Sequence, residues 1–306
     1  MRIVSLLPSS TEIICALGLK KQLVGVTHEC DYPEAVRDLP SVTRSLIPTA
    51  GTSAEIDELV RENQRTNAAL YSLDRQQLAH LQPDLIVTQT LCSVCAVAED
   101  EVSAAVAELP SSPRVLNLEP QTLADVFSTI RQVAKAASVE HAGDELTAQL
   151  TARVEQVAAR NAHVVTPARV TVLEWLDPPF SCGHWTPELV RLAGGHEGLA
   201  RRGERSRALR WTEIIDWAPE VVFIACCGFD VDRTLSEVSA LDEVQGWRGL
   251  PAVRAGRVYV TDGSQYFSRP GPRLVDSIEI LAHTLHPDVH PLPTGVAPAI
   301  CLDRWR

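Results

Sequence analysis

The chain has 306 residues, 45% of them hydrophobic and 22% charged, with a formal net charge of −11. The length exceeds what one hydrophobic core usually holds, so two are expected. The acidic balance excludes non-specific nucleic-acid binding, which needs a basic face, and no apolar run reaches the roughly 18 residues of a membrane-inserted helix.

The chain opens Met1-Arg2-Ile3-Val4-Ser5-Leu6-Leu7-Pro8-Ser9-Ser10-Thr11-Glu12. The apolar run is too short for a signal-peptide core. It reads as a strand entering a helix capped by the Ser/Thr cluster, in a cytoplasmic chain. Further strands are expected at Leu23–Thr27, Leu85–Thr88, Val115–Leu118, Val170–Leu173, Val221–Ala225 and Val258–Thr261, most of them β-branched and apolar throughout, as in parallel sheets buried on both faces. Helical patterns alternate with them, which makes the class α/β. Leu123 to Ala137 and Ala142 to Ala159 have helical spacing, and the second reads as a stiff strut. The expected division is an N-terminal α/β lobe over 1–138, a connecting helix over 139–163, a C-terminal α/β lobe over 164–290 and an irregular tail over 291–306.

One phrase occurs twice. Leu78-Ala79-His80-Leu81-Gln82-Pro83-Asp84 precedes the strand at Leu85, and Ile214-Ile215-Asp216-Trp217-Ala218-Pro219-Glu220 precedes the strand at Val221. Each is a short helix, a Pro-acid turn and a buried strand, so the two halves read as versions of one unit.

Six of the eight cysteines fall just beyond the carboxyl ends of expected strands: Cys30, Cys92, Cys95, Cys182, Cys226 and Cys227. That edge is where open α/β sheets bind ligands. His28 and His184 lie in two of the same loops. Soft thiolates with imidazole suit zinc, an iron–sulfur cluster or a cobalt centre, and the spacing does not choose among them. Cys30, Cys92, Cys95, Cys182, Cys226 and His28 are the candidate metal ligands. Cys15 and Cys301 read as small buried hydrophobes. There is no P-loop, no GxGxxG after the first strand and no GxSxG elbow, so neither nucleotide binding nor that hydrolase chemistry has support, and the chain is not read as an enzyme.

The run Ser5-Leu6-Leu7-Pro8-Ser9-Ser10-Thr11-Glu12, then Leu17-Gly18, Val24-Gly25-Val26 and Asp31-Tyr32-Pro33, resembles the opening of the cobalamin- and ferric-siderophore-binding proteins of ABC importers. Pro178-Pro179-Phe180-Ser181-Cys182-Gly183 with Ala193-Gly194-Gly195 is similar to lobe two of the cobalamin branch, and Phe267-Ser268-Arg269-Pro270-Gly271 to its closing loop. The resemblance covers roughly residues 1–287. It implies two Rossmann-like lobes with mainly parallel sheets, joined by a long rigid helix, with a small-molecule metal chelate held in the interlobe cleft. The loops it assigns to the ligand carry Ser9, His28, Glu29, Cys30, Leu91, Cys92, Cys95, Cys182, His184, Trp185, Cys226, Cys227, Phe229, Tyr266, Phe267 and Arg269. Trp185 and Tyr266 offer flat faces to a corrin or porphyrin edge, and Arg269 a partner for a propionate or phosphate.

The sequence departs from the family in two ways. The glutamates that meet permease arginines align with Gln76 and Thr212, although Glu213 is adjacent to the second. The aromatic cage of lobe one is replaced by His28-Glu29-Cys30 and Leu91-Cys92. Three readings follow: a binding protein for cobalamin or a related metal chelate, not obligatorily coupled to a permease; a protein whose cysteines hold zinc or an iron–sulfur cluster, with redox or enzymatic work; and an ABC importer's binding protein whose export signal lies outside this sequence.

Overall fold

The computed structural model describes residues 1–47, 51–66, 69–89, 99–163 and 166–303. The chain divides into two compact units. The first holds Met1–Gly51, Glu55–Pro120 and Ala124–Gln149; the second holds Thr52–Ala54, Gln121–Leu123 and Leu150–Arg306.

In the first unit the strands are β1 (Ile3–Ser5), β2 (Leu23–Gly25), β3 (Thr43–Ser45), β4 (Tyr71–Leu73), β5 (Leu85–Thr88) and β6 (Arg114–Asn117). Four of them form a sheet in the order β2-β1-β5-β6, every pair parallel. Strands β3 and β4 make a separate antiparallel pair, which the sequence reading missed. The helices are α1 (Pro8–Ala16), α2 (Ser53–Thr66), α3 (Arg75–Leu81), α4 (Glu99–Glu108) and α5 (Leu123–Ala136). Ile3, Val4, Leu85, Ile86 and Val87 are buried, as β-branched and apolar strands covered on both faces must be. Strand β6 departs from that expectation: it lies at the sheet edge, and Val115 is exposed. In α5 the apolar stripe Leu123, Val126, Ile130 and Val133 recurs at helical spacing and is buried along its length.

Helix α6 (Glu140–Arg160) is continuous across the position where the first unit ends and the second resumes. The second unit contains β7 (Ala168–Leu176), β8 (Pro179–Ser181), β9 (Gly195–Glu197), β10 (Val221–Ile224), β11 (Val258–Val260) and β12 (Ile300–Cys301). Its sheet runs β12-β11-β10-β7-β8, with β9 also on β7. Strands β9, β7, β10 and β11 are parallel; β8 and β12 join antiparallel at the edges. Strand β12 corrects the expected irregular tail, since Ile300 and Cys301 pair with Val260 and Tyr259. The helices are α7 (Thr186–Leu192), α8 (Trp211–Trp217), α9 (Val231–Glu237), α10 (Pro251–Arg254) and α11 (Leu274–Leu285).

The repeated phrase carries similar hydrogen bonds in the two units, with the arginine's carbonyl partner shifted by one residue. Gln82 and Ala218, the residues before the two prolines, both take left-handed backbone, with φ of 44° and 51°. In the first unit the backbone N–H of Arg2 donates to Asp84 at 2.6 Å and Arg2 Nε donates to the Leu81 carbonyl at 2.7 Å. In the second, the backbone N–H of Arg169 donates to Glu220 at 2.9 Å and Arg169 Nε donates to the Ala218 carbonyl at 3.0 Å. The acid's own N–H donates back to the arginine carbonyl at 2.8 Å in both. Each arginine thus ties the start of one central strand to the helix that precedes its neighbour.

A left-handed residue with a Cβ costs roughly 1–2 kcal/mol, partly offset in glycine by its greater freedom in the unfolded chain. Gln82→Gly and Ala218→Gly are each expected to stabilise the fold by about 0.5–1 kcal/mol, read as a raised midpoint in urea at unchanged slope.

Candidate functional site

Parallel strands with both faces covered leave polar side chains room mainly at the strand ends. At the carboxyl end of β1 the chain turns directly into α1, whose N-cap is Leu7 with Pro8 in the first turn and no side-chain cap. The serines and threonine expected to cap the helix instead form a buried network. Ser5 Oγ and Ser10 Oγ lie 2.5 Å apart, Thr11 Oγ1 donates to Ser5 Oγ at 2.8 Å, and Thr11 Oγ1 and Thr27 Oγ1 approach Cys30 Sγ at 3.1 and 3.2 Å. Ser9 is buried in the same turn.

Beyond β2, His28 and Glu29 are exposed. The His28 ring is held from behind. Its Nδ1 lies 2.8 Å from Thr43 Oγ1, which also accepts the His28 backbone N–H at 3.3 Å. Tyr71 packs beside it, ring centroids 5.6 Å apart, and donates its hydroxyl to Glu29 Oε1 at 3.2 Å. Thr43 and Tyr71 come from the β3–β4 pair, and sequence reasoning missed both. No local signal marks them, because they are brought to His28 by pairing between distant segments. Leu91, Cys92 and Cys95 lie outside the described residues.

In the second unit β8 ends in the turn Cys182-Gly183-His184-Trp185, which leads into α7. Every residue of the turn is anchored. The Cys182 N–H donates to the Val172 carbonyl at 3.0 Å, the Gly183 N–H to Glu174 Oε1 at 3.2 Å, and the His184 N–H to the Glu204 carbonyl at 2.6 Å. Trp185 Nε1 donates to the Phe267 carbonyl at 2.9 Å. A Cβ on Gly183 would lie 2.3 Å from the Ser206 backbone nitrogen, so only glycine fits there. His184 has a left-handed φ of 50° and stacks on Trp185 at 5.4 Å. Burial, and then the charge of Arg205, lower its pKa and favour the neutral ring.

Beyond β11, the π-helical turn Gly263–Phe267 is capped by Asp262, which accepts the Gln265 N–H at 2.7 Å. Tyr266 and Arg269 are largely buried; Arg273 lies over the Tyr266 ring at 5.8 Å, and Arg269 donates to Ser264 Oγ at 3.3 Å. Phe267 corrects the expectation of a ligand contact: it is 1% exposed and packs on Phe223 at 5.5 Å, a core role. Phe229, also largely buried, lies between Trp175 at 4.8 Å and the guanidinium of Arg233 at 4.5 Å.

The thiols are the main correction. Cys30, Cys182 and Cys226 lie at the expected edge but are buried, Cys30 against the Thr11 and Thr27 hydroxyls, and Cys182 and Cys226 are 0% exposed. Burial, followed by the charge of Cys227, pushes the Cys226 thiol up to about 12. Burial, with Glu197 and Glu174 adding to it, holds Cys182 well above the ordinary thiol range. Zinc and iron–sulfur sites take thiolates, and these groups resist ionisation. Among the described residues, no three His, Cys, Asp or Glu are grouped to hold a metal ion. Cys227 is exposed, and so is Cys301, contrary to its reading as a buried residue.

Native protein treated with a small thiol reagent is therefore expected to label at Cys227 and Cys301, with Cys30, Cys182 and Cys226 labelled only after unfolding; site-resolved mass spectrometry checks it. Gly183→Ala is expected to destabilise the second unit, because the clash is with backbone, and a thermal melt reads the loss.

The profile of the family described as "Periplasmic binding protein" matches residues 3–264. An ABC transporter substrate-binding lipoprotein of Bacillus subtilis (strain 168), itself uncharacterised, is 24% identical over 294 residues, covering 94% of this chain and 80% of that protein. A vitamin B12-binding protein of Vibrio parahaemolyticus is 23% identical over 290 residues, covering 92% and 88%. The crystal structure of a periplasmic heme-binding protein from Pseudomonas aeruginosa superposes with a TM-score of 0.74 at 19% identity, covering 98% of each chain.

Proposed function

The chain belongs to the periplasmic binding protein family, whose members bind solutes and are not enzymes, and from that premise we propose that it is an ABC-transporter-type substrate-binding protein for cobalamin or a related metal tetrapyrrole. The observation that carries the choice of a metal chelate is His28. An exposed imidazole whose Nδ1–H donates to a hydroxyl offers its Nε2 as a ligand to a metal with an open axial position, and Thr43 Oγ1, 2.8 Å from Nδ1, is placed to accept that bond. The Tyr71 ring beside it adds a flat apolar surface for a macrocycle. In the second unit the half-buried His184 stacks on the buried Trp185, an aromatic and imidazole pair with less exposed surface than His28 and Tyr71. The metal arrives with the substrate in this reading.

Relatives described as vitamin B12-binding support cobalamin, and solved structures described as heme-binding support heme to a similar degree. Cobalamin is put first on the similarity of the Pro178-to-Gly183 and Gly194-Gly195 phrases to that branch. A permease partner belongs to the proposal in altered form. Gln76 and Thr212 are exposed on the first turns of α3 and α8, without a carboxylate. Glu213 is engaged within its own chain: it accepts the Arg210 N–H at 2.9 Å and pairs with Arg207 at 3.0 Å, which lowers its pKa to about 2.

Titration with aquacobalamin and ferric heme, both of which can accept an imidazole, is expected to give a saturable spectral shift at one equivalent. His28→Ala is expected to weaken these complexes tenfold or more while leaving cyanocobalamin, whose axial positions are filled, within about threefold; tenfold corresponds to about 1.4 kcal/mol. Absence of binding with all three probes removes the proposal.

A further inference from the structure

Strand β7 has an interrupted neighbour. On the side away from β10, its first part pairs with β9 over Ala168–Val170, and its second part pairs with β8 over Leu173–Leu176. The two partners do not meet, and Val172 falls in the gap. Its carbonyl accepts the N–H of Cys182, but no strand supplies an acceptor for its own N–H. A buried backbone donor needs one.

The carboxyl group of Glu197, the last residue of β9, fills that place. Its Oε2 accepts the Val172 N–H at 3.0 Å, and its Oε1 accepts the Leu199 N–H at 2.7 Å. The N–H groups of Gly198 and Ala200 also face it, and the Cys182 thiol lies close enough to feel its charge. One side chain therefore joins the central strand, the turn after β9 and the first residue of the Cys182–Trp185 turn. Burial outweighs these donors and pushes the carboxyl up to about 7, as for a group enclosed by protein. A half-buried carboxyl would be an unfavourable choice if its only use were stability, since an apolar side chain costs less to withdraw from water. Its geometry has a different use, because it connects to the turn that carries His184 and Trp185.

We propose that Glu197 is a positioning residue for ligand binding, which sets the Cys182–Trp185 turn from beneath through the Val172 N–H and the Cys182 thiol. This rests on the reading of that turn as ligand-facing. Glu197 does not touch the ligand; it acts through the placement of His184 and Trp185.

The test uses the full chain with Glu197→Ala and Glu197→Gln, the probes aquacobalamin and ferric heme, and site-resolved thiol labelling. Glu197→Ala is expected to weaken binding tenfold or more and to open Cys182 to labelling while Cys226, in the same unit, stays protected. Glu197→Gln keeps one acceptor oxygen and the side-chain shape, and is expected to recover most of the affinity and of the Cys182 protection. Wild-type affinity in Glu197→Ala with Cys182 still protected overturns the inference. So does equal exposure of Cys182 and Cys226, which marks general loosening of the unit. If Glu197→Ala does not fold, the same two readings on Glu197→Gln decide, and full loss of affinity without any change at Cys182 counts against positioning. If the wild-type chain binds neither probe, the ligand reading fails, while the contrast between Cys182 and Cys226 still tests whether Glu197 holds the turn.

Discussion

The burial of the central strands on both faces is the constraint from which the other features follow. Ile3, Val4, Ile86, Val170, Val172, Val221, Val222 and Phe223 have no exposed surface, so these strands display no chemistry along their length. Hydrogen bonds satisfy their backbones laterally, and helices cover them above and below. What remains for recognition is the strand ends, where loops leave the sheet. Most polar features of the candidate site lie in such loops: the Thr27–Cys30 turn after β2, the Cys182–Trp185 turn after β8, the Cys226–Phe229 loop after β10 and the Gly263–Phe267 turn after β11.

The amino ends of the same strands do the opposite work. There Arg2 with Asp84, and Arg169 with Glu220, repeat one set of hydrogen bonds in the two units. These groups are partly exposed, and exposed ion pairs add little stability by themselves. Their value is geometric: a side chain that reaches both a helix-terminal carbonyl and a neighbouring strand start fixes where each strand begins. Strand starts are fixed at one end of the sheet, and the loops that carry the candidate site are left to the other. A division of this kind lets a common fold take different solutes.

The sequence made the edge legible but not the direction in which side chains point there. Placing Cys30, Cys182, Cys226 and Cys227 beyond strand ends was correct as to position, since a strand end is readable from an apolar run followed by polar residues. Whether Cys182 faces a solute or the core depends on the turn that follows it, and that turn is held by Glu174, Glu197 and the 203–206 segment, none of them adjacent in sequence. The same holds for Phe267, which resembles a ligand aromatic in sequence and packs on Phe223 in the fold. His28 was legible as a candidate; the hydroxyl that orients it was not, because Thr43 reaches it only through strand pairing.

By itself the sequence determined the α/β class, nearly all the core strands, the long helix at 140–160 and the repeat of one helix–turn–strand phrase. These follow from local periodicity and from residues whose backbone preferences are local, so a window of ten residues contains the information. Only the tertiary structure decided that Cys30, Cys182 and Cys226 are buried, that the tail supplies an edge strand, that Thr43 and Tyr71 lie against His28, and that Glu197 accepts the Val172 N–H. Each of those outcomes depends on which distant segments come to lie side by side, and on the burial that results. Burial is what turns a thiol from a ligand into a hydrophobe, and it is a property of the packed chain that no stretch of sequence carries alone.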